Sequence, residues 1–252
     1  MKLTIVGCAG SYPGPDSAAS CYLVEAEHEG RTWRLVLDLG NGSLGQLQRY
    51  MDPRGIDAVA ISHLHPDHCI DLVSLVVIAK YHPKGAYESI KVIAPEGAEE
   101  FLAHAGGPGG EPPLDALNFA VWDDEPVQQV GPFTVKVVRV KHPVPAFAMR
   151  VEAGGKVLVY SGDTGPTPEL DELAAGADIF LCEASFVESA VNPPDLHLTG
   201  AEAGQCAAAA GVGQLLITHI PDWTDADEVE ADLAAVYDRP YSIVRPGEVY
   251  EA

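Results

Sequence analysis

Apolar positions along the chain fall into short runs. Runs rich in Val, Ile and Leu cover residues 2–6, 21–25, 33–38, 58–62, 90–94, 133–140, 146–152 and 157–161. Runs of this length, bounded by turn-forming residues, predict strands. Further runs at 179–182, 215–218 and 243–245 predict three more. Residues 131–161 read as a meander with a hairpin turn at Ala153-Gly154-Gly155. Helical spacing is rarer, at 71–81, 97–104, 199–210 and 225–237. Thr199 and Glu202 stand at capping-box spacing. Residues 105–113, AGGPGGEPP, predict a flexible loop. No internal repeat is evident. Many strands with helices between and after them predict a layered α/β fold. The 252 residues suit one domain spanning 1–252.

Charge narrows the partners. Lys and Arg total 15 against 37 Asp and Glu, a formal net charge of −22. Such a surface repels polyanions, and no basic stripe is present to neutralise phosphates, so stable nucleic-acid binding is not expected. No basic segment followed by an apolar stretch opens the chain, and no apolar run reaches membrane-spanning length. Five cysteines, Cys8, Cys21, Cys69, Cys182 and Cys206, show no CxxC spacing and read as buried thiols of a reducing compartment. A cytoplasmic enzyme is expected, with no membrane partner. A homodimer is compatible with the sequence, which does not decide it.

The candidate chemistry centres on His63-Leu64-His65-Pro66-Asp67-His68, directly after the strand at 58–62. The alternation lets His63 and His65 face one side, and Pro66 turns the chain so that Asp67 and His68 reach a second point. Imidazole and carboxylate together suit Zn²⁺ and similar ions. Chance would produce HxHxDH in roughly one such chain in a thousand.

HxHxDH after a buried strand resembles the metallo-β-lactamase superfamily, and the resemblance runs through nearly the whole chain. It implies a four-layer αββα sandwich with the metal site at one edge. Gly7-Cys8-Ala9-Gly10-Ser11 resembles the family's glycine-rich first turn, and Asp38 in Leu37-Asp38-Leu39-Gly40 its aspartate behind the ligands. His142 matches the third histidine, Asp163 in Ser161-Gly162-Asp163 the bridging aspartate, and His219 the last histidine. By this resemblance His63, His65 and His142 hold one divalent ion, Asp67, His68 and His219 hold a second, and Asp163 bridges. Zinc comes first, with manganese as the alternative. His28, His82 and His104 match no ligand and read as surface residues.

His197-Leu198-Thr199 is similar to the His-x-Thr motif of ribonuclease Z-like phosphodiesterases, and Cys182-Glu183-Ala184-Ser185 resembles their Glu-Ala-[Ser/Thr] motif. The likeness makes His197 the group that protonates the leaving oxygen, Glu183 its orienting partner, and Asp67 a holder of the attacking hydroxide. The ribonuclease Z branch grips tRNA with a long arm between the third histidine and the bridging aspartate. Here 20 residues separate His142 from Asp163, which a strand, a Gly154-Gly155 turn and a second strand account for. A small phosphodiester is therefore the expected substrate. Gly14-Pro15-Asp16-Ser17, Tyr81-His82-Pro83, Pro194-Asp195-Leu196-His197-Leu198 and Thr218-His219-Ile220-Pro221 are similar to actinobacterial cyclic-nucleotide phosphodiesterases. That likeness implies conversion of 3′,5′-cyclic AMP to 5′-AMP, the base held near Ser185, Phe186 and Tyr81. The alternatives are tRNA 3′-processing of the ribonuclease Z type and thioester or lactone hydrolysis.

Overall fold

The computed structural model describes residues 1–84, 89–106 and 116–252. Two seven-stranded sheets stack face to face. The first comprises β1 (Lys2–Gly7), β2 (Cys21–His28), β3 (Arg31–Leu37), β4 (Ala58–Ala60), β5 (Ile90–Ala94), β6 (Leu117–Val121) and β14 (Val249–Glu251), in the order β14-β1-β2-β3-β4-β5-β6. The second comprises β7 (Val127–Val130), β8 (Phe133–Arg139), β9 (Phe147–Ala153), β10 (Lys156–Tyr160), β11 (Ile179–Glu183), β12 (Gln214–Thr218) and β13 (Tyr241–Ile243), in the order β13-β12-β11-β10-β9-β8-β7. Each sheet is antiparallel on one side and parallel on the other. The two halves share this pattern although their sequences show no repeat.

Apolar burial explains the layering. Tyr22, Phe133, Met149, Tyr160 and Leu181 fill the space between the sheets. Leu44, Leu72, Leu75 and Leu102 cover the outer face of the first sheet from α1 (Ser43–Leu47), α3 (Leu72–Tyr81) and α4 (Ala98–Ala105). Leu170 and Leu173 of α5 (Pro168–Ala174) and Ala203 and Ala207 of α6 (Gly200–Ala210) cover the second, and Val229 and Leu233 of α7 (Ala226–Ala234) pack against α6. Central strands are covered on both faces, so they read as continuous apolar runs rather than alternating ones. This is the αββα sandwich.

Most predicted elements hold to within a residue or two. The Gly154-Gly155 hairpin has both φ positive, at 59° and 75°, the geometry of a turn matching strand twist. The capping box at Thr199 and Glu202 is present in both directions. Three strands escaped the pattern. β7 reads VQQV, and β6 and β14 are five and three residues long. The strand expected at 243–245 instead occupies Tyr241–Ile243, where register with Leu215–Ile217 places it. The helix at 225–237 ends at Ala234. The reading of 105–113 as a loop lies largely outside the described residues. All five cysteines are unpaired, and only Cys8 is partly exposed. Among the described residues no helix is long and apolar enough to cross a membrane.

The topology brings the predicted site to one edge. Strands β4, β8, β10, β11 and β12 end just before His63, His142, Asp163, the loop after Glu183, and His219. β10, β11 and β12 are parallel, and β8 shares their direction because β9 is antiparallel to both β8 and β10. Their carboxyl ends therefore open on one side, the usual place for a site in such sheets. The Phe147 amide donates to the Ser62 carbonyl at 3.0 Å and ties the two sheets together there.

Candidate metal centre and active site

Local backbone sets the first four groups. Ser62 ends its strand run, and a short helix, α2 (Pro66–Cys69), starts with Pro66 at its first position, where the missing N–H costs nothing. Asp67 and His68 thereby sit in the first turn, both buried. Close backbone approaches hold the rim. A Cβ on Gly40 would lie 1.9 Å from the Asp67 carbonyl oxygen, and one on Gly10 would lie 2.3 Å from that of His219. Asp38 and His219 both adopt left-handed φ, 57° and 60°, a conformation uncommon for such residues and frequent at functional sites.

Two groups of potential ligand atoms result. His63, His65 and His142 bring theirs within 4.8 Å of one another, and so do Asp67, His68, Asp163 and His219. His65 Nδ1 lies 3.0 Å from His63 Nε2 and 3.1 Å from His142 Nε2. His68 Nε2 and His219 Nε2 are 3.1 Å apart. Asp163 stands between the groups, with Oδ2 3.7 Å from His63 Nε2 and Oδ1 3.2 Å from His68 Nε2 and 3.4 Å from His219 Nε2. Asp163 Oδ1 is buried without a hydrogen-bond partner. Such an orphan is costly unless something absent from the protein chain satisfies it.

The outward edges of the imidazoles are tied down. His68 Nδ1 donates to Asp38 Oδ2 at 2.7 Å, and His142 Nδ1 donates to the Leu196 carbonyl at 3.0 Å. His219 Nδ1 lies 3.0 Å from Ser185 Oγ. With those nitrogens carrying the proton, the opposite nitrogens turn lone pairs toward the cradle, the arrangement seen behind metal-ligating histidines. Asp38 also accepts from the Ser62 amide at 2.6 Å, Ser62 Oγ at 2.8 Å and the Tyr160 hydroxyl at 2.7 Å.

Electrostatics agree. Burial opposes a charge on His68, but Asp163, Asp67 and Asp38 outweigh it and hold its pKa well above the usual value. Burial drives His63 well below its usual value, with His68 adding to the effect. Burial would raise Asp163, yet His219, His68 and His63 hold it well below the carboxylate range. A buried cluster that must otherwise keep a proton on His68 favours a cation in its place. Orphaned oxygen, converging lone pairs and donor chemistry all fit divalent metal.

His197 approaches from the side. It is partly buried, with ring centroids 5.6 Å from His142 and 5.5 Å from His219. The Phe186 amide donates to the Leu198 carbonyl at 3.0 Å, which draws the segment after β11 against His197. Glu183 is fully buried and accepts from His197 Nδ1 and the Thr164 amide, each at 2.8 Å, and from Ser185 Oγ at 3.0 Å. Burial works to lower the His197 pKa, but the Glu183 carboxylate overcomes it and raises the value to about 9. His197 therefore carries a proton through neutral pH.

All nine predicted site residues meet here. His28 and His104 are exposed and His82 half-buried, and none joins the cluster. Phe186 packs edge-on against His197 at 5.1 Å. Tyr81 is 66% exposed at the last position of α3, roughly 13 Å of helix beyond its first residue. Ser62 and Tyr160 support the site without having been singled out, while Ser185, expected near the base, lies within hydrogen-bond distance of Glu183 and His219. Ser62 adjoins His63 and was within reach of the sequence. Tyr160 lies 122 positions from Asp38 and was not.

The chain matches the model of the β-lactamase superfamily domain over residues 33–220. It is 44% identical to an uncharacterized protein of Mycobacterium tuberculosis, over 100% of this chain and 92% of that one. It is 30% identical to a ribonuclease Z of Mycobacterium marinum, over 87% and 86%. The crystal structure of the metallo-β-lactamase fold protein YhfI from Bacillus subtilis superimposes with a TM-score of 0.86 at 26% identity, covering 99% of each chain. The protein thus belongs to the metallo-β-lactamase superfamily, as a metal-dependent hydrolase.

Proposed function

We propose that the protein is a dinuclear phosphodiesterase for small substrates, and that it converts 3′,5′-cyclic AMP to 5′-AMP. His63, His65 and His142 would hold one ion, Asp67, His68 and His219 the other, and Asp163 would bridge them. Zinc is the first candidate, since imidazole and carboxylate suit it. Bound there, two divalent ions supply Lewis acidity, which makes hydroxide available near neutral pH and screens the phosphoryl charge.

The chain's own groups do the rest. Asp67 would orient the attacking water and accept the proton it loses. His197, held by Glu183 through Nδ1, presents Nε2–H to the departing oxygen. As the P–O3′ bond breaks and the new P–O bond forms, that proton passes to O3′. The His197–Glu183 contact of 2.8 Å is the observation that carries this reading. A thioester hydrolysis, whose thiolate can depart without a proton, does not need a dedicated acid of this kind.

Two observations favour a small substrate. The segment between His142 and Asp163 is used up by β9, β10 and the two-glycine turn, with no arm. The net charge of −22 disfavours a folded polyanion. The runner-up is tRNA 3′-processing, favoured by the identity to ribonuclease Z over most of the chain. Chromatography of products from 3′,5′-cyclic and 2′,3′-cyclic nucleotides, with metal-replete protein, tests the reading. 5′-AMP from 3′,5′-cyclic AMP is expected. Turnover confined to 2′,3′-cyclic substrates overturns the cyclic AMP assignment. Brisk thioester or lactone hydrolysis with neither nucleotide cleaved overturns the phosphodiester assignment.

A further inference from the structure

Trp223 is 69% exposed, more than any other aromatic side chain among the described residues. A single exposed apolar ring is ordinary, but this one is paired with a second ring beside the candidate site. Trp223 is four residues beyond His219, and its loop is fixed. The Thr224 amide donates to the Pro221 carbonyl at 2.9 Å, and Thr224 Oγ1 donates to the Ser185 carbonyl at 3.2 Å. Its ring stacks on Tyr12, centroids 4.8 Å apart and planes 31° from parallel.

Tyr12 comes from the opposite loop, which is also built into the cradle. The Gly10 amide donates to the Ile220 carbonyl at 3.3 Å, and Ala9 bridges Ile220. The Ser11 amide points at His219 Nε2 from 3.4 Å. That nitrogen is the one turned toward Asp67 and His68. Tyr12 is thus one residue from an atom of the cradle. The same two loops also line part of a cavity of about 580 Å³, through Gly14, Ser17, Pro221 and Thr224, which neither aromatic ring enters.

We infer that Tyr12 and Trp223 form an aromatic platform on which the substrate's nucleobase stacks while its phosphate meets the metal centre. The inference rests on the phosphodiester reading. A stacked pair held at both loop bases presents an ordered π-face with little rotamer entropy left to lose. Every base has a complementary face, so stacking binds without hydrogen-bond readout. It also suits a protein this acidic, whose general field repels phosphate but not a neutral base. Phe186 is a poorer platform, because its ring is engaged with His197.

The test uses metal-replete full-length protein and the variants Trp223→Ala, Trp223→Phe and Tyr12→Ala. The substrates are 3′,5′-cyclic AMP and the 3′,5′-cyclic phosphate of methyl riboside, which lacks a base. For Trp223→Ala the expected result is a KM for cyclic AMP raised roughly 5- to 100-fold, the range of one aromatic–base stack. kcat should change little, and kcat/KM for the base-free substrate less than twofold. Trp223→Phe should recover most of the loss. Quenching of tryptophan emission by 5′-AMP in the wild type, abolished in Trp223→Phe, gives a readout independent of turnover. Unchanged KM and quenching in Trp223→Ala overturn the platform while cyclic AMP turnover by the wild type leaves the phosphodiester reading standing. Equal losses on both substrates also overturn it, because Trp223 then only braces His219. A wild type that cleaves no phosphodiester removes the underlying reading itself.

Discussion

Replacing His197 with alanine removes the proposed acid and leaves all seven proposed ligands in place. A positioned general acid is worth about 10²- to 10⁴-fold in rate, or about 3–5.5 kcal/mol of barrier. The Glu183 contact at 2.8 Å and the raised pKa, about 9, argue that His197 is protonated at neutral pH. The loss should depend on the leaving group. kcat on 3′,5′-cyclic AMP should fall about 10²- to 10⁴-fold, whereas a p-nitrophenyl ester of a nucleotide, which departs with less need of a proton, should lose under about tenfold. Elemental analysis should find the metal content unchanged. pH dependence supplies a second axis. A raised pKa means that the protonated acid is present below it and lost as pH rises through it, giving an alkaline limb. Glu183→Gln removes the largest influence raising His197, leaving Asp163 alone against burial, so the limb should move to lower pH. That variant also turns an amide nitrogen toward some of the donors on Glu183, so its pH profile is diagnostic and its absolute rate is not. Loss of metal in His197→Ala, equal losses on both esters, or an alkaline limb moving upward in Glu183→Gln would refute the assignment.

Protein purified without chelator should contain close to two divalent ions per chain, and full activity at one ion per chain would sink the dinuclear arrangement. Asp38→Asn places an amide nitrogen among four donors, from Ser62 twice, His68 and Tyr160. It should destabilise the protein by about 2–5 kcal/mol, read from the urea midpoint, and lower metal affinity. An unshifted midpoint would show that Asp38 is not the brace described. Pre-tRNA should be a poor substrate, given the acidic surface and the missing arm. Accurate 3′ trimming at low enzyme concentration would restore the ribonuclease Z reading.

The sequence by itself carried the centre of the molecule. Six consecutive residues, His63 to His68, place four donors within reach of one another whatever the rest of the chain does. Apolar runs ending before Asp163 and His219 were visible because β10 and β12 are covered on both faces over most of their length, and the run before His142 because β8 alternates buried Phe133, Val135 and Val137 with more exposed positions. Thr199 and Glu202 fixed the start of α6 through a bond three residues long. Tertiary structure decided what depends on residues far apart. Register with β12 placed β13 at Tyr241–Ile243. Asp38 meets Tyr160 only because the two sheets face each other across a shared core. Glu183 meets His197 because the segment after β11 pairs with Leu198, and that meeting makes an ordinary histidine an acid that holds its proton. Tyr12 and Trp223 are 211 positions apart, and no periodicity links them. Their stacking exists because the first loop of one sheet and the last ligand loop of the other converge on His219. Local rules act over a few residues through hydrogen bonds and side-chain spacing. A contact between distant loops is set by how whole sheets pack, and a single sequence does not display it.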